Sequence, residues 1–226
     1  MAAVEVGQQG CEGHATYPHY LVVSMQLLAS QVPGAADNLS PEEARDLDEL
    51  VPIRNFKKGT VLLGAGHVAT EASYFLAGFV HRYYNVDGNE RTTAFYTEGQ
   101  SIASLKSFLN QVPADHYLAC VEDCTLAVWA YAAEKELFRR HPRMESFCRF
   151  TVENDFGTAQ EALASFITKT PEQRYLDLLT ARPELVQRVP QYLLASYLGV
   201  TPESLSRIRK RIVGKAASMS SPTRRP

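Results

Sequence analysis

Cysteine is scarce in this sequence: Cys11, Cys120, Cys124 and Cys148 are the only four among 226 residues. No second pair stands near Cys11, so neither a zinc framework nor an N-terminal iron–sulfur cluster is supported, and a reducing compartment follows. Cys120 and Cys124 stand in a C-x3-C spacing, but the stretch alternates like a strand, so both share one face and read as packing residues. Long apolar runs are missing as well. The longest candidate, Tyr20 to Leu28, is interrupted and too short to span a bilayer. The first 18 residues carry no cationic start, which argues against a signal peptide and for a cytoplasmic protein without a membrane partner.

Net charge is small, −2 over the whole chain, and by itself says nothing about nucleic acid. Its distribution does. Residues 1–168 hold 12 Lys and Arg against 21 Asp and Glu, while residues 169–226 hold 11 against 4, so a mildly acidic body carries a basic end. That asymmetry points to a nucleic-acid-facing module at the C-terminus.

The stretch from Pro190 to Ile212 concentrates that charge on a patterned element. Tyr192, Leu193, Leu194, Ala195 and Leu198 give a first helix its apolar face, with Pro190 expected at its first position, and Gly199 ends it. Val200 lies in the turn. Thr201 as N-cap with Pro202 behind it starts a second helix at once. Leu205, Ile208 and Ile212 form the buried side of that helix. Two helices joined so tightly must cross steeply, which requires a small side chain at the contact and no Cβ penalty at the corner; Ala195 and Gly199 supply these. The pattern A-x3-G-x5-L is the spacing expected of a DNA-binding helix-turn-helix, whose second helix enters the major groove of double-stranded DNA. On its polar faces Arg207 has the reach for a bidentate contact to guanine, Glu203 for accepting from cytosine, and Ser204 for a base edge. Thr201, Ser206, Arg209, Lys210 and Arg211 are placed to hold the phosphate backbone. An ordinary helical hairpin with a solvated basic face is the alternative.

Upstream, the period of the apolar pattern changes twice. Residues 1–18 read as disordered, and Tyr20 to Val32 as a helix. Ser40-Pro-Glu-Glu43 is a capping box with proline behind it, opening a helix to about Leu50. From Ile53 the period falls to two, and short strands follow one another between turn signals such as Asp87-Gly88, as in an all-β roll or barrel over about 53–131. Ser101 to Asn110 interrupts it as a non-strand insert containing a single helical turn around Ser104, Leu105 and Phe108. Ala133 to Arg140 is a short helix. Met144 to Ile167 is a long one carrying Phe147, Phe150, Val152, Phe156, Ala159, Leu163 and Phe166, more apolar surface than a finished domain requires, which a second copy of the chain would cover; packing on its own roll is the alternative. Thr170-Pro-Glu-Gln173 is a second capping box, opening a helix to about Ala181 with Tyr175, Leu176, Leu178 and Leu179 inward. The helix of the basic stretch is expected to end near Val213-Gly214, with a flexible basic tail over Ser218 to Pro226.

This order of elements resembles the Crp/Fnr superfamily, the cyclic-AMP receptor protein-like transcription regulators of bacteria. The likeness covers roughly Tyr20 to Val213 and is carried by FKKGTVLLGAG at 56–66, YFLAGFVHRYYNVDGNE at 74–90, GQSIASLKSFL at 99–109, TLAVWAY at 125–131 and ASYLGVTPESLSRIRKR at 195–211. It implies an α+β chain with a disordered N-terminus (1–18), a cyclic-nucleotide-binding-type jelly roll with flanking helices (19–143), a dimerisation helix (144–168) and a helix-turn-helix domain with a basic tail (169–226). It further implies a homodimer through Met144 to Ile167 that reads a roughly palindromic operator and engages RNA polymerase, and no catalysis.

Two departures qualify that implication. Family members that bind cyclic nucleotides hold the ribose with a glutamate and the phosphate with an arginine; here the glutamate position is Ser104, and Pro113 to Leu118 contains no arginine while Asp115 has the wrong sign. Losing a charge-assisted partner costs about 1.5–3 kcal/mol, so cyclic AMP is not expected and no cofactor is assigned. An effector of another kind is sought at Ser104, Lys106, Ser107 and His116, with local turn-making as the alternative reading of all four. The β-hairpin wing that follows the recognition helix in relatives is also unrecognisable, and Lys215 with Arg224 and Arg225 is left to replace its charge. Two alternatives remain: an effector-independent regulator with an empty roll, and a cupin-type metalloenzyme using His67, His81, His116 and Glu90, whose histidines stand 14 or more residues apart.

Overall fold

The computed structural model describes residues 40–219. The expected disorder of residues 1–18, the helix over Tyr20 to Val32, and Arg224 and Arg225 lie outside the described residues. Helix α1 (Pro41–Leu50) begins as its sequence requires. The Ser40 hydroxyl accepts from the Glu43 backbone N–H, and the Glu43 carboxylate accepts from the Ser40 backbone N–H, closing both halves of the capping box.

Eight strands follow: β1 (Ile53–Phe56), β2 (Val61–Leu63), β3 (Glu71–Ala77), β4 (Val80–Val86), β5 (Asn89–Tyr96), β6 (Ser101–Ile102), β7 (Tyr117–Cys120) and β8 (Cys124–Ala130). They make two four-stranded antiparallel sheets, ordered β1-β8-β3-β6 and β2-β7-β4-β5. Phe75, Val80, Phe108, Leu118, Leu126 and Val128 pack between them as the roll core. The β4–β5 hairpin turns on Asp87 and Gly88, both at positive φ (52° and 77°), the geometry that matches the twist of paired strands. Ser101 and Ile102, expected outside the sheet, pair with Tyr74 and Ser73, so the insert is helical only from Leu105 (α2, Leu105–Asn110). A two-residue strand carries too little alternation to be read from sequence.

The remaining chain is helical: α3 (Tyr131–Arg140), α4 (Pro142–Thr168), α5 (Pro171–Ala181), α6 (Pro183–Arg188), α7 (Gln191–Tyr197) and α8 (Pro202–Met219). A small cluster of Leu47, Val51, Tyr74, Ala127, Leu137 and Met144 seats α1 and the start of α4 on the roll. Over it, Glu43 pairs with Arg143, and Asp46 with His141 (2.8 Å) and Arg140 (3.2 Å). The Arg143 guanidinium holds the Glu43 carboxyl well below its ordinary range, at about 2.

Several expectations are corrected. Pro190 is the N-cap of α7 rather than its first helical residue. Tyr192 is 61 % exposed and Leu176 41 % exposed, since each falls on the outer side of its short helix. Pro183–Arg188 forms a helix where only a stop was expected, because proline ends one helix and is equally suited to open the next. Gly214 does not end α8, which continues to Met219; a single glycine costs only about 1 kcal/mol and Gly214 is not at positive φ. Among the described residues no strand follows α8.

Gly78, between β3 and β4, has φ +94°, and a Cβ there would lie 2.5 Å from the Asp123 carbonyl oxygen and 2.8 Å from the Cys124 Cα, both backbone. Neither atom is free to move without shifting β8. Gly78→Ala is therefore expected to destabilise the fold by at least about 2 kcal/mol, read as a lowered denaturant midpoint with unchanged slope.

Candidate nucleic-acid interface and effector cavity

The α7–α8 corner is closed by two backbone bonds and braced by Arg174, whose Nη2 donates to the Leu198 carbonyl at 2.7 Å. Gly199 N–H donates to the Ser196 carbonyl (3.0 Å) and Val200 N–H to the Ala195 carbonyl (2.9 Å), the paired bonds of a Schellman turn. Gly199 has φ +69°, and an added Cβ would meet the Phe166 ring at 3.1 Å. Thr201 then caps α8, its hydroxyl accepting from the Ser204 backbone N–H at 3.2 Å. Leu193, Leu194, Ala195, Leu198, Leu205 and Ile208 are all buried in one cluster that also contains Tyr175 and Leu178 of α5.

With that face inward, the sequence-selected polar residues separate into two groups. Thr201, Glu203, Arg207 and Lys210 are exposed, and Ser204 and Ser206 half-buried. The Arg207 Nε donates to the Glu203 carbonyl at 3.4 Å, and the Glu203 carboxyl lies below its ordinary range, held there first by a backbone N–H at the helix start and then by the Thr201 hydroxyl. Arg209 and Arg211, by contrast, are engaged within the chain. Arg209 sits 5.6 Å from the centre of the Tyr175 ring, and Arg211 pairs with Glu172 at 2.5 Å. Both reach residues of α5, and Arg211, one turn along α8 from Arg207, lines a recess with it beside Glu172.

The α5–α8 helices are seated on the outer edge of β5, an arrangement unread in the sequence. Ser196 accepts from the Thr92 N–H (3.0 Å) and donates to the Glu90 carbonyl (3.1 Å). Arg182 donates to the Phe95 carbonyl (3.3 Å) and the Thr97 hydroxyl (2.9 Å). Arg188 pairs with both oxygens of Glu98 (2.9 Å each) and with Glu122. Burial alone would raise the Glu98 carboxyl, but Arg188 and the Gly78 N–H outweigh it and hold it below its ordinary range. Phe79, Phe95 and Val121 complete the contact as apolar members of the helical cluster. The signal available beforehand was faint: two arginines, Arg182 and Arg188, flanking a short apolar segment.

A cavity opens between the roll and α4, lined by Tyr84, Ser104, Lys106, Ser107, His116 and Trp129 among others. The four residues sought there play different parts. Ser107 is committed to the fold, accepting from the Ala69 N–H (2.8 Å) and donating to the Val112 carbonyl (2.5 Å). Lys106 is exposed. Ser104 is 4 % exposed and, although it is the N-cap of α2, its hydroxyl makes no cap bond. The His116 Nδ1 bonds the Asp115 carboxylate at 2.9 Å, and its Nε2 is buried without a partner. The cupin-type set is not assembled: among the described residues no three His, Cys, Asp or Glu side chains converge, and His81 stacks on Tyr83 at 4.7 Å instead. Among the described residues no helix is long and apolar enough to cross a membrane.

His81 is 6 % exposed beside the seated helices, and burial lowers its pKa from 6.5 to about 4. The unfolded chain therefore binds an extra proton between these values, so stability is full above pH 6.5 and falls as pH drops toward 4. Denaturant titrations across that window are expected to show a loss approaching about 3 kcal/mol, and His81→Gln to flatten it.

Residues 53–141 match the family model of the cyclic nucleotide-binding domain. Among curated proteins no sequence matches the chain. Among solved structures the chain is similar to CLP of Xanthomonas campestris, described as a c-di-GMP responsive global regulator, at 18 % identity over 78 % of this chain and 93 % of that one, TM-score 0.63. It is likewise similar to a transcriptional regulator of the crp/fnr family from Eubacterium rectale (14 % identity, 78 % and 85 % covered, TM-score 0.63). FixK2 of Bradyrhizobium japonicum gives 14 % identity, 74 % and 86 % covered, and a TM-score of 0.61. At such identities the likeness establishes the fold.

Proposed function

We propose, from the premise that this is a Crp/Fnr-like chain with a cyclic nucleotide-binding domain at 53–141, that it is a sequence-specific DNA-binding transcription regulator acting as a homodimer. The observation that carries the reading is the split of α8: Leu205 and Ile208 are buried while Glu203, Arg207 and Lys210 stand outward on the opposite side. A helix so divided, set at a steep corner by Ala195 and Gly199, has the shape and charge to lie in a major groove. Arg207, Glu203 and Ser204 read base edges; Thr201, Ser206 and Lys210 hold the backbone. Arg209 and Arg211 reach phosphate only by leaving Tyr175 and Glu172, so their contribution is smaller.

The dimer reading is supported by α4. Val152, Phe156, Leu163 and Ile167 are 40 %, 63 %, 62 % and 73 % exposed, and Val152, Phe156, Ala159 and Leu163 recur at the alternating four- and three-residue spacing of a coiled-coil seam. The same four side chains line the open cavity between α4 and the roll, and a symmetry mate is the simplest cover for what the roll leaves bare, Phe156 and Leu163 being more than half exposed. Two copies then present two α8 helices to half-sites about one helical turn apart on a roughly palindromic operator. RNA polymerase is the natural partner of such a regulator, the cytoplasm its place, and the cyclic nucleotide-binding domain its regulatory input rather than a catalytic one. Because the roll has no arginine between Pro113 and Leu118, the effector is taken to be other than cyclic AMP.

Arg207→Ala is expected to cost about 1–3 kcal/mol of operator binding and to relax preference at one base position, whereas Lys210→Ala weakens all sequences alike and lowers the salt slope by about one. Selection from a random-duplex library followed by titration at several salt concentrations separates the two, and wild-type behaviour in both variants sinks the assignment. For the dimer, Leu163→Glu is expected to shift the sedimenting species from two copies to one without loss of helical circular dichroism.

A further inference from the structure

Among the polar groups on the cavity wall, the Ser104 hydroxyl, the His116 Nε2 and the Arg174 Nε have no partner. Ser104 is 4 % exposed and its hydroxyl makes no hydrogen bond to any described residue. The His116 ring is 9 % exposed, with its Nε2 unpartnered. An unmade hydrogen bond on a buried atom costs about 1–3 kcal/mol, so the His116 Nε2 is a feature to be accounted for, and the Ser104 hydroxyl on the same wall is free to meet the same occupant. Neighbouring polar residues are not in this state: Ser107 is doubly bonded, and the Arg82 Nε donates to the Thr93 hydroxyl at 3.1 Å.

The chemistry of the missing partner follows from His116. A carboxylate only accepts, so the Asp115 oxygen 2.9 Å from Nδ1 requires the proton on that nitrogen. In the neutral ring the other nitrogen is then a lone pair. It accepts from a hydroxyl or an N–H and repels an anionic oxygen, and Asp115 beside it adds a second negative group. The rest of the wall is largely apolar and rich in rings, including Trp129, Phe138 and Tyr84, whose ring centre lies 5.5 Å from that of His116.

We propose that this cavity binds a small uncharged aromatic compound bearing a hydroxyl, which donates to His116 and exchanges a hydrogen bond with Ser104 while its ring packs on the aromatic wall. This rests on the effector-controlled form of the regulator reading and names the class of effector.

Trp129, the only tryptophan in the chain, lines the cavity and reports occupancy by its fluorescence. The full-length protein is titrated at about pH 8, where imidazole is neutral and an ordinary phenol un-ionised, with phenol, with benzene, which has the ring without the hydroxyl, and with 3′,5′-cyclic AMP. The expected result is saturable quenching by phenol, with benzene about tenfold weaker, the effect of one hydrogen bond. His116→Phe and Ser104→Ala should each weaken phenol by about that factor and leave benzene unchanged. Equal affinity of the two arenes for the wild-type protein overturns the proposal without reliance on any variant, as does tighter binding of cyclic AMP or no saturable quenching. Operator binding is measured on the same preparations: a chain that binds duplex but neither arene ends the cavity assignment alone, and one that binds phenol selectively but no duplex ends the regulator reading alone.

Discussion

β5 is the last strand of its sheet, and its outward N–H and C=O groups need partners that no further strand among the described residues provides. The chain satisfies them from its own C-terminal end. Ser196 takes the Thr92 N–H and the Glu90 carbonyl, and Arg182 takes the Phe95 carbonyl. An exposed strand edge is a template for wrong pairing, and covering it with a helix is one of the few available remedies. Here the covering helix is α7, one of the two that form the candidate reading corner, so edge protection and placement of that corner are a single constraint.

The same strand pair joins the two candidate regions. Tyr84 and Tyr96 line the cavity, which also reaches Phe95 and Tyr197 where they pack together beside the buried helical cluster. The space beside the roll and the seat of the helices are therefore contiguous. Glu98 and Glu122, at two neighbouring turns, grip Arg188 from the same end. Ion pairs of this exposure contribute little stability individually, but they restrict where α6 is able to sit.

Much of this was legible beforehand because it is local. The two capping boxes at Ser40 and Thr170, the Asp87-Gly88 hairpin and the Ala195/Gly199 corner each depend on a few adjacent residues, and all formed as read. The fold class followed from the change of period at Ile53. Of the candidate site, the outward placement of Glu203, Arg207 and Lys210 was readable from helical phase alone. Misreadings arose where the deciding neighbour was distant in sequence: Tyr192 and Leu176 looked inward by composition, yet nothing packs over them, and Ser107 resembled a ligand group but is consumed by Ala69 and Val112.

The order of residues by itself determined where the capped helices and the longer strands begin, which face of α8 is apolar, and that Pro113 to Leu118 contains no arginine. Hydrogen bonding along the backbone and alternation of side chains act over a few residues, so such features survive without the fold. Which cations are free and which are tied was decided only in three dimensions. Arg209 and Arg211 are as basic as Arg207, but Tyr175 and Glu172 reach them through the packing of α5 on α8. The His116 Nε2 is left without a partner for the same reason: its ring is held by Asp115 among segments that meet only after folding.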